Sequence, residues 1–325
     1  MTTKLYIIGN GFDLHHYLKT SYYDFANYLR EEHNDIYSTL ESYVSYPISE
    51  NDLWSRFEEN LANLDAEEIL SEHSDTLPDY ASDDFRDRDR YVFPDIMDEH
   101  FQKLTIGLFS AFQEFIQQVE YPNYSWEHKI EIDKETTFLT FNYTNTLERL
   151  YSIDKSKITY IHNSAFYGAD EIILGHGIDP ETFEEKKPEP PDDLDPEELE
   201  EWHNQNDDYD YSYDEGKQNL MRYFKATYKP TKEIINRHSD FFANLKTVEE
   251  IFVYGHSISS VDLPYFEEIV RNVRDDIKWT VSFYNLDEHN RHKTTLNNLG
   301  IAIDNIRLIQ LEDIQENNKQ LKIEF

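Results

Sequence analysis

Short apolar runs recur along the chain and predict the strands of a sheet. Several are almost continuous, such as Leu5–Ile8 and Ile251–Tyr254, which is typical of strands covered on both faces in a parallel α/β sheet. The predicted strands are Lys4–Ile8, Thr136–Phe141, Lys157–Ile161, Glu171–Leu174, Glu250–Tyr254, Lys278–Tyr284 and Asn305–Leu311. Helical spacing follows three of them, at Asn145–Ile153, Leu263–Arg274 and Asp287–Leu299. We therefore predict a Rossmann-like α/β fold with a mostly parallel, doubly wound sheet.

Two long interruptions separate these strand–helix units. Residues 20–134 show helical spacing with few turn signals, and they predict a helical subdomain inserted into an α/β domain made of 1–19 and 135–325. Residues 179–215 hold 17 acidic residues, two lysines and five prolines. Such a block buries little apolar area, so it predicts a mobile acidic insertion. The alternative is a lid or an autoinhibitory segment that mimics a polyanion.

Charge and cysteine content exclude several classes of protein. Lys and Arg number 30 against 66 Asp and Glu, and the resulting net charge of −36 disfavours nucleic-acid and anionic-membrane partners. The absence of Cys removes disulfides, thiolate metal sites and a Cys nucleophile, and it fits a reducing compartment. No apolar run approaches the roughly 20 residues of a membrane span. We expect a cytoplasmic protein.

Glycine is scarce, with nine in 325 residues, so each one is expected to occupy a backbone position that needs it. Gly9-Asn10-Gly11 directly follows the first predicted strand, where freed backbone N–H groups commonly cradle a pyrophosphate. Leu14 stands where the dinucleotide fingerprint has a third Gly. The alternative reading is a tight strand-to-helix turn capped by Asn10 or Asp13.

Three histidines also follow predicted strands. They are His162, His176 after Gly175, and His256 after Gly255. A lone His usually has a structural role, but the carboxyl ends of parallel strands share one crevice, so these three are expected to meet. Two chemistries are open: one His as a general base near neutral pH, or three as a zinc site with an open position. The spacing favours the base.

Polar turns also follow two of the predicted strands. Asn142 follows the second strand, and Ser257 and Asp262 follow the strand that ends at Tyr254. These side chains can cap the next helix or bind the ribose and phosphates of a nucleotide. Both readings stay open on the sequence.

Five segments taken together resemble a known family. They are Ile8–Leu14, Leu18–Tyr22, Leu53–Glu58, Phe138–Glu148 and Tyr254–Ser257. In this order they resemble the AbiH family of bacterial abortive-infection proteins. The resemblance implies a role in defence against bacteriophage, in which an infected cell arrests or dies before phage release.

AbiH proteins are in turn similar, more distantly, to SIR2-like NAD-consuming defence effectors. That similarity implies that Asn142 is the catalytic Asn of a Thr-x-Asn-Tyr-Asp strand end and that His162 is the base. Thr144 replaces the Asp of that motif, and Asn163 follows the His where Gly is common. The implied contacts with the phosphates and the nicotinamide ribose are Gly9, Asn10, Gly11 and Asp13. The further candidate binding residues are Gly175, His176, Gly255, His256, Ser257 and Asp262.

The resemblance thus predicts a phage-defence protein that binds a nucleotide such as NAD, as substrate or ligand, and cleaves the nicotinamide–ribose bond without a metal. One alternative is a nucleotide sensor or scaffold without catalysis. Another is a metal-dependent nuclease or phosphohydrolase that uses the three strand-end histidines with Asp13 or Asp262. A phage-derived trigger or partner protein and assembly into a homo-oligomer are further expectations.

Overall fold

A computed structural model describes residues 3–46, 53–168, 171–184, 191, 195, 198, 202 and 210–316. Within this part of the chain, six strands form one sheet. The strands are β1 (Lys4–Ile8), β2 (Thr137–Thr140), β3 (Ile158–Tyr160), β4 (Glu250–Tyr254), β5 (Lys278–Ser282) and β6 (Ile306–Ile309). Most of the predicted acidic insertion, 185–209, lies outside the described residues apart from four positions.

The strands are arranged in the order β3-β2-β1-β4-β5-β6, and every neighbouring pair is parallel. This order and the flanking helices confirm the predicted Rossmann-like α/β fold. The chain runs outward from β1 in one direction and from β4 in the other. The junction of β1 and β4 is therefore the topological switch point, outside which open α/β sheets bind ligands.

The strands are buried on both faces, as their continuous apolar runs predict. Leu5 and Ile7 of β1 belong to one core cluster, whereas Tyr6 and Ile8 belong to a second cluster on the opposite face. The helices are α1 (Asn10–His15), α2 (Tyr22–Glu32), α3 (Asn34–Tyr43), α4 (Phe57–Asn60), α5 (Ala66–Glu72), α6 (Val92–Gln102), α7 (Leu108–Gln117), α8 (Thr146–Tyr151), α9 (Tyr211–Ala226), α10 (Thr231–Arg237), α11 (Ser239–Ala243), α12 (Leu263–Asn272) and α13 (Leu286–Asn298). The first cluster includes side chains of α10 to α13, and the second includes side chains of α1 and α8.

One predicted strand, Glu171–Leu174, is wrong. The segment is extended but belongs to no strand, and the Ile173 N–H donates to the His162 carbonyl at 3.0 Å beyond the end of β3. Ile172 and Leu174 are buried there. An apolar run signals burial, and burial alone does not distinguish a sheet strand from a covering segment.

The chain divides into two compact units. The sheet unit comprises the residues up to His33, Phe109–Gly177 and the chain from Lys229 onward. It therefore includes residues 20–33 and 109–134 of the predicted helical insertion. Helices α2 and α7 account for this, because Phe25 packs edge-on against Phe112 with ring centroids 5.0 Å apart. Helical periodicity predicts these helices but not the unit to which they belong.

The helical unit comprises Asn34–Leu108 and Ile178–Tyr228. Helix α9 packs closely on α6, because Gly216 lacks a Cβ that would lie 2.5 Å from a ring carbon of Phe93. The Tyr223 hydroxyl donates to the Leu61 carbonyl at 2.9 Å and ties α9 to a second part of the unit. Among the helices of the described residues, none has the length and apolar character needed to span a bilayer.

Candidate active site

The loops after β1 and β4 pack directly against each other at the switch point. The Gly9 N–H donates to the Tyr254 carbonyl at 3.0 Å, and the Gly11 N–H donates to the Gly255 carbonyl at 2.7 Å. A Cβ on Gly9 would lie 2.6 Å from the His256 Cα. Gly9 and Gly11 are thus needed because two backbones approach each other closely.

Gly255 completes this contact. Its φ of +65° is left-handed, and a Cβ there would lie 1.9 Å from the Phe12 nitrogen. The Phe12 N–H donates to the Gly9 carbonyl at 2.9 Å. The N–H groups of Gly9, Gly11 and Phe12 therefore already have acceptors within the protein. The phosphate cradle at this turn stays a prediction, and these three donors do not support it.

Asn10 and Asp13 occupy different surroundings after β1. Asn10 is exposed, and its amide nitrogen donates to the Thr20 carbonyl at 2.9 Å. Asp13 is fully buried and accepts a hydrogen bond from the Thr144 hydroxyl at 2.6 Å, which joins the loops after β1 and β2. Its Oδ1 has no hydrogen-bond partner. Burial raises the pKa of Asp13 to about 6, and the Thr144 hydroxyl opposes that rise. Thr144, which departs from the SIR2-like motif, is thus the hydroxyl that holds Asp13.

Asn142 and His162 follow adjacent strands at the same level. The register pairs Thr140 of β2 with Tyr160 of β3, and each candidate residue lies two positions beyond that pair. The Asn142 backbone N–H donates to the Thr140 hydroxyl at 3.1 Å. Asn142 and His162 are both buried, and neither amide atom of Asn142 nor the Nε2 of His162 has a hydrogen-bond partner within 3.5 Å, although the Asn142 amide is close enough to Asp13 to lower the pKa of that carboxyl. Unsatisfied buried groups of this kind are rare and call for a functional explanation.

His162 is held in an apolar aromatic setting. The rings of Phe141 and Tyr265 pack against it, with centroids 5.2 and 5.6 Å away. Burial lowers the pKa of His162 well below its usual range, and the nearby Lys229 and His256 lower it further. The Phe141 backbone acts in the opposite direction and raises the pKa of His162. A neutral ring with its proton on Nδ1 presents Nε2 as a proton acceptor.

Three nitrogens surround the carboxylate of Asp262. The Oδ1 atom lies 3.6 Å from Lys229 Nζ and 3.7 Å from His162 Nε2. The Oδ2 atom lies 3.6 Å from His256 Nε2 and accepts a hydrogen bond from the Ser259 hydroxyl at 3.3 Å. The side chains of His162, His256 and Lys229 are almost entirely buried. The structure thus brings two of the three predicted histidines to one carboxylate.

His256 carries its proton on the nitrogen that faces Asp262. The Ile258 N–H donates to His256 Nδ1 at 2.9 Å, so Nδ1 is an acceptor and Nε2 bears the hydrogen. Burial lowers the pKa of His256 to about 3, and His292 and Lys229 contribute to the same direction. Burial thus favours the neutral form of both His162 and His256 at physiological pH.

The remaining predicted residues have other roles. His176 is buried in the extended segment after Gly175, and its carbonyl accepts the Lys229 N–H at 2.8 Å. Ser257 is exposed, and its carbonyl lies 3.2 Å from His292 Nε2. Lys229 is the residue that sequence reasoning missed. No motif marks it, because a single Lys is normally assigned to the surface.

The arrangement of possible ligands does not support the metal alternative. Across the described ranges, no group of three or more His, Asp or Glu side chains is arranged to hold a metal ion. The metal-dependent nuclease built on the strand-end histidines therefore stays an alternative without support from this part of the chain. Two of those histidines instead share one aspartate with a lysine, and a buried ammonium competes with any cation at that carboxylate.

A cavity of about 350 Å³ lies in the helical unit. Its lining includes Leu64, Phe183, Lys217, Met221 and Phe224. None of the predicted site residues lines it. The strand-end cluster is thus distinguished by its buried polar chemistry and not by the size of a cavity.

A family model described as bacteriophage abortive infection AbiH matches residues 5–283. The chain belongs to the AbiH family. This AbiH match runs from β1 beyond β5 and includes each candidate site residue, so the predicted family and its role in bacterial abortive infection are confirmed. Searches of curated proteins and of solved structures returned no match. The AbiH description does not mention NAD, so the SIR2-like resemblance stays a prediction.

Proposed function

We propose that this AbiH protein binds NAD at the carboxyl ends of its strands and hydrolyses the nicotinamide–ribose bond. One observation carries the proposal. The Asn142 amide and His162 Nε2 are buried without hydrogen-bond partners at the same level of adjacent strands, where α/β sheets bind nucleotides. A polar ligand that supplies those partners would offset the cost of burying them.

The residue types suit the reaction. Departure of nicotinamide with the electron pair of the glycosidic bond leaves an oxocarbenium-like ribose, and a water oxygen then bonds to the anomeric carbon. His162 Nε2 accepts a proton from that water, because the neutral ring has its acceptor nitrogen there. The Asn142 amide orients the water or the leaving group as a fixed dipole. The products are nicotinamide and ADP-ribose, with one proton released.

Asp13 supports binding and charge balance. With a pKa raised to about 6 by burial, it is mostly ionised at neutral pH but costs free energy in that state. Its unpartnered Oδ1 is free to accept a hydrogen bond from a ribose hydroxyl. Its charge also favours the positive ribose that develops as the bond breaks. Asp13 therefore contributes most when the reaction, or the cationic substrate, brings positive charge beside it.

The test is nicotinamide release from NAD by purified protein, with and without extract from phage-infected cells. Asn142→Ala and His162→Ala are compared with Asn27→Ala and His33→Ala, which change the same residue types on or beside α2. We expect release to fall at least about 100-fold in the first pair, as for loss of general acid–base catalysis. The control pair should retain it.

Calorimetric titration with NAD separates the alternatives. Binding without release under either condition would refute hydrolysis and favour the sensor. Absence of both binding and release would refute the NAD proposal altogether. Release that persists in both Asn142→Ala and His162→Ala would place the chemistry elsewhere.

A further inference from the structure

We propose that Lys229 is a positioning residue of this site, whose ammonium holds the Asp262 carboxylate so that His162 Nε2 is kept as a proton acceptor. The inference rests on the proposed function for its catalytic consequence. Lys229 is only 1% exposed, and its Nζ lies 3.6 Å from Asp262 Oδ1. Burying an ammonium is costly, so its position beside the candidate base requires an explanation.

The backbone fixes Lys229 where it stands. Its N–H donates to the His176 carbonyl at 2.8 Å, and its own carbonyl accepts the Thr231 N–H at 2.8 Å, just before α10 begins. Lys229 is therefore anchored to the segment that covers the end of β3. The side chain reaches Asp262 from an element other than the one that carries either histidine.

The two carboxylate oxygens of Asp262 have different neighbours. Oδ1 faces Lys229 and His162, whereas Oδ2 faces His256 Nε2 and the Ser259 hydroxyl. Because His256 presents an N–H and Lys229 is cationic, both can donate toward Asp262. His162 is the neighbour whose facing nitrogen carries no proton in the neutral ring. Lys229 supplies the positive charge that Asp262 would otherwise obtain by protonating His162.

Other charged and titratable groups face His162 as well. The rings of Tyr143 and Tyr265 pack against it from the end of β2 and from α12. His238, at the end of α10, lowers the pKa of His162, as do Lys229 and His256. Asp262 is the acidic group in direct range, at 3.7 Å. Burial lowers the pKa of His162 most, and Lys229 is the charge that lowers it most strongly after burial.

The variant test compares Lys229→Met with Lys229→Arg, and Lys232→Met, an exposed lysine three residues further along in the first turn of α10, is the control. In Lys229→Met, we expect the pKa of His162 to rise, because a nearby positive charge is removed and Asp262 then favours the protonated ring. The acid limb of the pH profile of kcat/KM should therefore move to higher pH by about 1 unit. Lys229→Arg and Lys232→Met should keep the wild-type profile. Lys229→Met/Asp262→Asn should restore the limb, since both opposing charges are absent.

A second measurement does not depend on turnover. Nitrogen-15 NMR of the histidines in the full-length wild-type protein should show His162 neutral with its proton on Nδ1, and His256 neutral with its proton on Nε2, from about pH 5 to pH 8. A cationic His162 at neutral pH would overturn the proposal even if NAD is never cleaved. An unshifted His162 pKa in folded Lys229→Met would also overturn it. If the wild-type protein shows the expected tautomers but does not hydrolyse NAD, the proposed function is refuted and the inference about Lys229 is not.

Discussion

Two regions at the carboxyl ends of the strands differ in whether their polar groups have hydrogen-bond partners. At the switch point, the N–H groups of Gly9 and Gly11 are used in backbone hydrogen bonds of 3.0 and 2.7 Å to the loop after β4. At the ends of β2 and β3, the amide of Asn142 and the Nε2 of His162 are buried with no partner. The first part is closed by packing, whereas the second retains unused hydrogen-bonding capacity.

The difference teaches that a residue after a strand can be required for two unrelated reasons. Scarce glycines at the switch point allow two backbones to touch, so their substitution should affect folding. Buried polar atoms without hydrogen-bond partners cost stability, so substitution of these side chains should affect activity more than stability. Each part can thus be tested by the property that the other should not change.

The largest effect is expected for Gly255→Ala. Its Cβ would lie 1.9 Å from the Phe12 nitrogen, at a φ of +65°. We expect a loss of at least about 4 kcal/mol in the free energy of unfolding, or no folded protein. Gly300→Ala is the matched control, because Gly300 has a φ of +91° but nothing within 4 Å of its Cβ.

Gly300→Ala should therefore lose only about 1 kcal/mol, the cost of the left-handed backbone alone. Urea denaturation followed by circular dichroism measures both variants. Equal losses at Gly255 and Gly300 would contradict the close packing of the two loops.

An intermediate effect is expected for Asp13→Asn, and it should depend on pH. Burial raises the folded-state pKa of Asp13 from 3.8 to about 6, so ionisation destabilises the folded protein as pH rises through this range. At pH values above the folded-state pKa the cost is about 3 kcal/mol, which Asn avoids. The variant should thus be the more stable protein near pH 7.5, and its advantage should vanish near pH 4.

Urea unfolding of wild type and Asp13→Asn at both pH values measures that difference directly. The comparison between the two proteins cancels the titration of the many surface carboxylates. An advantage that stays constant from pH 4 to pH 7.5 would show that Asp13 does not titrate in the folded protein as described.

The smallest effect on stability is expected for Asn142→Ala. Because neither amide atom has a partner, we expect a change of less than about 1 kcal/mol. Asn60→Ala is the matched control, because Asn60 is also buried but its amide donates to the Leu53 carbonyl at 3.0 Å. That variant should lose about 2 kcal/mol. A larger loss at Asn142 than at Asn60 in thermal unfolding would indicate a structural role for Asn142.

The sequence predicts the sheet better than it predicts the site. The limits of β1 and β4 agree with the prediction, because their continuous apolar runs are buried on both faces. The sequence also predicts a strand at Glu171–Leu174, because this segment is mostly apolar, but the segment instead covers the end of β3. The apolar pattern of a segment indicates that it is buried, but not which part of the chain packs against it.

The site was predictable where position along a strand determines position in space. Asn142 and His162 follow neighbouring strands, and His162 and His256 both reach the carboxylate of Asp262. Lys229 could not be foreseen, because it precedes a helix and reaches the cluster only through the folded covering segment. The sequence also could not show that Gly9 is required for the close approach of two backbones, because a phosphate cradle would require glycine at the same position.

The central claim is that Asn142 and His162, which follow β2 and β3, are the residues that act in the hydrolysis of NAD. The most direct test measures cellular NAD during phage infection in bacteria that express wild type or Asn142→Ala at matched protein levels. We expect NAD to fall and phage yield to drop with wild type, and neither to change with Asn142→Ala. Equal protection by the two proteins, with NAD unchanged in both, would contradict this claim.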